Sequence, residues 1–409
     1  MAVRQRPRAH DGRTGSESAI FAATEALLAE KPLQDLTVAD IIARAELSRA
    51  NFYHYFASKY DVLAALVTRV LEDTYDAEGP WSAPVGRPRA RAMAASIPTT
   101  VEMWSQHGPV ICAAIETMHV VPQVAQAWQA MRERFVTAVA EQIAHERADG
   151  RAPDGPAPDL IATVLVSCLE RTFYVGTRGL DPRLPTAEAA ADAITQLTRA
   201  AIYGPLPAIA PPVEQATPVR DGDDDTASGL LTAIGSLLTE TSLDDLSVAQ
   251  VCERAGASRA TFYFYFASKE DAFAALFQRV AEPLAVEFEA MLADSAAGKP
   301  RSHGVVSGWL TLDAAGVAVL RNAVHEWPRR PELGKAYLAS QDRLATALER
   351  VLVSRRRGAK GAAPAQLAAT VLWLVEKALA GTLAQERHLE DTPTVIALLD
   401  ALVASAVEG

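Results

Sequence analysis

The sequence predicts an all-α protein made of two tandem copies of one helical unit. Three observations carry this. Apolar residues recur at helical spacing, and no stretch alternates as a strand would. Alanine is abundant while aromatics are only 6%, a composition that favours helix. The phrase SRANFYHYFASK, beginning at Ser48, returns as SRATFYFYFASK, beginning at Ser258. From Leu36 to Ala64, 17 of 29 positions are identical to Leu246–Ala274 without a gap. A repeat of that period is too long for a solenoid and marks a copied domain.

The elements follow in order. SAIFAATEALLAE places Ile20, Ala23, Leu27 and Leu28 on one helical face. After the turn KPLQD, LTVADIIARA reads as a second helix, with Thr37 as its cap and Asp40 in the capping-box position. ELS is a tight turn, and RANFYHYF is a third helix capped by Ser48. Ser58 and Asp61 repeat the cap pattern and open KYDVLAALVTRVLEDTY. The second copy keeps the plan, with Ser247 in place of Thr37. Further on, each half has a Gly/Pro/Ala-rich loop feeding an apolar helix that carries an acid–base pair, Glu170–Arg171 and Glu376–Lys377. Each half then closes with one more amphipathic helix. Between the halves, GPLPAIAPPVEQATPVRDGDDDT is dense first in proline and then in acid, a linker that would reach about 65 Å if stretched. The boundaries are a basic tail over 1–15, heads over 16–66 and 226–277, helical bundles over 67–204 and 278–409, and a linker over 205–225.

Composition narrows the function classes. Hydrophobic residues at 49% and charged residues at 22% fit an ordinary globular chain, and 409 residues leave room for several cores. The net charge of −11 means that any nucleic-acid contact must come from a local basic surface. Arg4, Arg6, Arg8 and Arg13 offer one. Cys112, Cys168 and Cys252 have neither zinc-type spacing nor an even count. No apolar run of membrane-spanning length and no signal peptide is apparent, so a cytoplasmic protein with no membrane partner is expected. No catalytic triad phrase, phosphate-binding glycine loop or metal-ligand cluster occurs; His119 and His325 stand alone. An enzyme, a cofactor and a metal are therefore not expected.

Two short helices joined by a three-residue turn make a helix-turn-helix candidate. On the second, Phe52 and Phe56 share one face, and Ala50, Asn51 and His54 fall roughly opposite, flanked by Tyr53 and Tyr55. FYHYF alone fits an aromatic core stripe equally well. As a reading helix, small Ala50 would permit close approach, Asn51 could bond adenine, and His54 could donate or accept. Ser48 and Arg49 begin that helix, and Tyr53, Lys59 and the Thr37 hydroxyl would reach phosphates. The counterparts are Ser247, Ser258, Arg259, Ala260, Thr261, Tyr263, Phe264 and Lys269. Thr261 and Phe264 suit a thymine methyl better than adenine.

The stretches from about Phe21 to Leu66 and from about Leu231 to Leu276 resemble the amino-terminal DNA-binding domain of the TetR (tetracycline repressor) family. Thr37, Ala39, Ile41, Ala45, Ser48, Phe52, Tyr53, Phe56, Ser58, Lys59 and Asp61 carry the match, as do their counterparts from Ser247 to Asp271. The carboxyl parts resemble more loosely the mycobacterial branch that controls ethionamide activation, through ERADGRAPDG, ERTFY and AIYG. The resemblance implies a helical repressor that binds an operator in double-stranded DNA. It also implies a bundle holding a small-molecule effector and a dimer face, with release of DNA on effector binding.

The chain departs from the family pattern at Glu46, where a turn glycine is usual and where copy two has Gly256. It departs again at Asp221, Asp223, Asp224 and Asp225, which precede the second head where basic residues are usual. These acids favour an alternative, a ligand-binding or sequestering protein with weakened heads. Candidate pocket residues are Trp104, Met118, Trp128, Met131, Phe135, Phe173, Tyr174, Trp309, Trp327 and Trp373. Each also fits plain core. Glu170 and Arg171 are read as an exposed helical ion pair that could otherwise orient a ligand. The last two helices of each half are expected to pack on each other within one chain, a pseudo-dimer; a homodimer of chains with four heads is the rival.

Overall fold

The computed structural model describes residues 15–74, 89–204, 226–296, 306–307, 312–355 and 361–408. The tail arginines, the acidic run before the second head and Trp309 lie outside these residues. Sixteen α-helices and two short 3-10 turns make up the described chain, which contains no strand. The all-α expectation holds.

The first head consists of α1 (Gly15–Glu30), α2 (Val38–Arg44) and α3 (Arg49–Tyr55), with a 3-10 turn at Leu33–Asp35. Its core joins Ile20, Leu27, Leu36, Ile41, Phe52 and Phe56 to Leu63 and Leu66 of α4 (Lys59–Thr74). Thr37 caps α2 in a full capping box with Asp40, and the Ser48 hydroxyl accepts from the Asn51 backbone N–H to cap α3. α5 (Arg89–Thr117), α6 (Pro122–Ala148), α7 (Pro158–Thr177) and α8 (Ala191–Tyr203) form the first bundle.

The second copy repeats the head as α9 (Thr226–Leu237), α10 (Val248–Ala255) and α11 (Arg259–Tyr265). Its bundle is α12 (Lys269–Ala296), α13 (Ala314–Glu326), α14 (Pro331–Arg355), α15 (Pro364–Leu383) and α16 (Thr392–Glu408). Ser247 and Ser258 cap as Thr37 and Ser48 do, with Gln250 completing the box.

The bundles meet along α7 and α15, with α8 against α15 and α16. Both α7 and α15 are buried on every side, so neither has a polar face. α7 is long and apolar enough to cross a membrane, contrary to the sequence expectation, and nearly all of it is buried inside the protein. Glu170 and Arg171 interrupt its apolar sequence and hide that length.

Candidate nucleic-acid interface and ligand pockets

In each head the third helix is short and capped, with one face exposed. Arg49, Ala50, Tyr53 and His54 are exposed on α3, and Arg259, Ala260, Tyr263 and Phe264 on α11. Arg49 lies over the Tyr53 ring at 5.7 Å. Phe264 is 81% exposed, the most of any large apolar side chain among the described residues. Asn51 is only half-exposed, because its Nδ2 donates to Ser16 Oγ on α1 at 3.0 Å. Thr261, its counterpart, pairs with Ser258 Oγ at 2.8 Å. Of the residues assigned to base reading, Ala50 and His54 thus present themselves fully, while Asn51 first has to leave α1.

The Thr37 hydroxyl donates to Asp40 Oδ2 at 2.9 Å. A hydrogen bond from Lys31, and then those from Thr37, hold the Asp40 carboxyl down to about 2. The matching box in head two uses neutral Gln250. The two lysines expected at phosphates have another task. Lys59 Nζ donates to the carbonyls of Leu33, Gln34 and Leu36 at 2.7, 3.2 and 2.7 Å. Lys269 Nζ does the same with Leu243, Asp244 and Leu246 at 2.9, 3.0 and 2.9 Å. An ammonium has three donors, so each lysine is fully occupied in holding the turn that aims the second helix. The signal for this was a lysine unchanged between copies while its neighbour changed from Tyr60 to Glu270.

The pocket candidates separate into three places. Trp104, Trp128, Met131 and Phe135 line a cavity of roughly 420 Å³ among α5, α6 and α7, with Phe173 packed behind Trp104 at 5.8 Å. Met118 lines a smaller space between the bundles, next to His119 and His325. Tyr174, Trp327 and Trp373 belong to the contact between the halves. Trp327 stacks on Tyr337 at 5.2 Å with the rings 8° apart, and Trp373 Nε1 donates to Asp181 Oδ2 at 3.1 Å. The second bundle has its own cavity, about 740 Å³, among α12 to α16. Its walls are mainly aliphatic, including Leu284, Leu320, Leu344 and Ile396, with the aromatic rings of Phe277 and Tyr337.

Two domain families match the chain. The one described as bacterial regulatory proteins, tetR family, matches residues 20–66 and again 230–276. The one described as transcriptional regulator EthR, C-terminal domain, matches residues 93–204. The HTH-type transcriptional regulator EthR of Mycobacterium tuberculosis H37Rv is 31% identical over 189 residues, covering 46% of this chain and 87% of that regulator. The chain belongs to the TetR family. EthR of Mycolicibacterium smegmatis is 29% identical over 192 residues, 47% of this chain and 88% of the relative. A solved TetR-family structure from Syntrophomonas wolfei aligns with 45% of this chain and 93% of its own at 17% identity and a TM-score of 0.39.

This TetR-family chain uses its acid–base pairs differently from the sequence expectation. Glu170 and Arg171 are not an exposed helical pair. They are buried and paired across the two halves: Arg171 Nε to Glu376 Oε2 at 2.9 Å, and Lys377 Nζ to Glu170 Oε1 at 3.8 Å. Burial opposes the Arg171 charge, but Glu376 and its neighbours outweigh it and keep the guanidinium above its ordinary range. Acid and base occupy the same two positions in α7 and α15, counted from Pro158 and Pro364. Each acid meets the other helix's base, the pattern a two-fold axis between the helices would generate. Arg132 to Glu386 at 2.9 Å and Arg183 to Asp342 at 2.9 Å extend the contact.

Proposed function

We propose that this chain is a DNA-binding transcription regulator of repressor type whose single polypeptide supplies both reading heads. On this reading 16–66 and 226–277 are the heads, 67–204 and 278–409 the regulatory bundles, and 205–225 the linker. The operator in double-stranded DNA has two unequal half-sites, and a small apolar or aromatic effector in the bundles releases it. The acids and bases paired across α7 and α15 carry the proposal, because they give one chain the two-fold contact that a dimer makes from two. Two heads in that arrangement suit adjacent major grooves about 34–36 Å apart. Ala50 and His54 face the bases of one half-site with Arg49 and Tyr53 beside its phosphates, and Ala260 and Phe264 face the other with Arg259 and Tyr263. Bundle pockets lined mainly by hydrocarbon and aromatic rings support the effector class. A cytoplasmic location follows from that role, and the reading requires neither catalysis nor a cofactor.

The test is selection of bound sequences from a random DNA library by the full chain at a stated salt concentration. One imperfect inverted repeat with unlike halves is expected. A symmetric repeat, or enrichment that needs two chains per site, would overturn the one-chain arrangement. No enrichment at low salt would favour the second reading, a ligand-sequestering protein. The exposed Phe264, on a helix face otherwise meant for polar base edges, is the observation on that side.

A further inference from the structure

Counted from Pro122 and Pro331, α6 and α14 place Trp128 where Tyr337 stands, Arg132 where Gln341 stands and Phe135 where Leu344 stands. All six side chains line the two bundle cavities. Their hydrogen bonding differs. In the first cavity Trp128 is 3% exposed, and its Nε1–H, which can only donate, has no partner. Arg132 donates to Glu386 at 2.9 Å and to Ser167 at 3.4 Å, and Glu170 is charge-paired with Lys377 at 3.8 Å, beyond hydrogen-bond distance.

In the second cavity Tyr337 donates its proton to Glu376 Oε1 at 2.6 Å, and Arg171 takes Oε2. The phenol oxygen is thereby left as an acceptor. Gln341 lies one turn further along α14. Gln341 Oε1 is left buried without a partner. The remaining wall is mostly apolar, with Phe277, Leu344 and Ile396, and also carries the hydroxyls of Ser340, Thr382 and Thr392, the last two bonded to each other. Trp128 Nε1 therefore lacks an acceptor in one cavity, and Gln341 Oε1 lacks a donor in the other. A buried polar atom without a partner is costly, and a ligand that completes it is favoured over one that does not.

We propose that the two cavities of one chain take ligands of opposite hydrogen-bond character. The first takes an apolar molecule whose ketone, ester or ether oxygen accepts from Trp128 Nε1. The second takes an apolar molecule whose N–H or O–H donates to Gln341 Oε1. This rests on the reading of the bundles as ligand pockets. It makes the fused chain a sensor of two chemical classes, where a symmetric dimer senses one.

Three bicyclic probes of nearly one size test it: 1-indanone, which only accepts; indole, which donates; and indene, which does neither. Calorimetric titration of the full chain is compared with Trp128→Phe and Gln341→Leu. Trp128→Phe is expected to weaken 1-indanone about tenfold and leave indole unchanged. Gln341→Leu is expected to do the reverse. A second measurement needs no variant: the Trp128 indole N–H proton resonance should move on adding 1-indanone and stay in place with indole. Probes that bind but are not separated by either variant would overturn the proposal while leaving the pockets as ligand sites. Failure of all three probes, indene included, would overturn the pocket reading itself and the proposal with it.

Discussion

Lys59 and Lys269 each hold three carbonyl oxygens of the turn before the second helix, and Thr37 and Ser247 each open that helix with a full capping box. In the bundles, equivalent positions carry Trp128 and Tyr337, or Arg132 and Gln341, and make different bonds. The heads have kept their skeleton while the pocket walls have diverged. Head geometry is a chain of short-range bonds in which each member helps to place the next, which leaves little room for exchange. A pocket wall only has to exclude water and fill space, and it tolerates exchange. The exception inside the bundles is the crossed pair of acids and bases, which both copies retain.

That exception gives the largest expected effect. Arg171→Ala leaves Glu376 buried without its cation and should cost the full chain about 3–5 kcal/mol in urea unfolding. Adding Glu376→Leu should recover much of the loss, because the uncompensated charge is then gone. A single-variant loss below about 1 kcal/mol would mean that the crossed pairs do not hold the halves together.

The lysines test the claim that the heads share one skeleton. Lys59→Met and Lys269→Met keep most of the side-chain stem and remove the ammonium. Each should cost its own head about 2–3 kcal/mol, read as faster amide exchange in that head. Equal losses are the expectation; a loss in only one head would break the equivalence.

A pH scan addresses the contact between the halves. His325 is half-buried, and its pKa is pushed down to about 4 by burial, then by His119, Lys377 and Arg171, against the opposing pull of Glu386. The unfolded ring protonates near 6.5, so the folded state binds fewer protons below that value. Stability is therefore complete above pH 6.5 and falls as pH drops toward 4. Solvent screening of a partly exposed ring limits the fall to about 1–2 kcal/mol. Burial pushes His119, whose ring lies 5.0 Å away, down to about 4 as well, so His325→Gln should lessen the slope of the urea midpoint across that window without abolishing it; an unchanged slope would remove His325 from the account.

The heads were legible because their determinants lie close together in sequence. The Thr37–Asp40 and Ser48–Asn51 contacts each span one turn, so spacing alone disclosed them. The carbonyl partners of Lys59 were not legible because they sit more than twenty residues upstream, on a turn whose path the sequence did not reveal. The same limit hid the bundle contacts. Glu170 and Arg171 look like a surface pair until α15 is laid on α7 from two hundred residues away. Trp327 and Trp373 have the composition of a pocket wall, yet the path of α13 and α15 puts them between the halves. The first pocket was partly legible through Trp104, Trp128, Met131 and Phe135, which all sit on two helices with clear periodicity.

The smallest effect tests the heads at the one turn where they differ. Glu46 and Gly256 both adopt left-handed backbone, with φ of 55° and 64°. Glycine takes that conformation freely, whereas a residue with a Cβ pays about 1 kcal/mol or somewhat more for it. A Cβ built on Gly256 would meet no atom within 4 Å, so Gly256→Ala tests the backbone term alone and should lose about 1 kcal/mol. Glu46→Gly should gain slightly less than that, because glycine also loosens the unfolded chain. Opposite signs in the two heads are the expectation, read from amide exchange in each. The same Glu46→Gly change also removes a negative charge beside α3, so it should tighten DNA binding most at low salt, where charge is least screened. A stabilised head with unchanged DNA affinity would separate the two roles, leaving Glu46 as a source of backbone strain with no part in weakening the head's grip on phosphate.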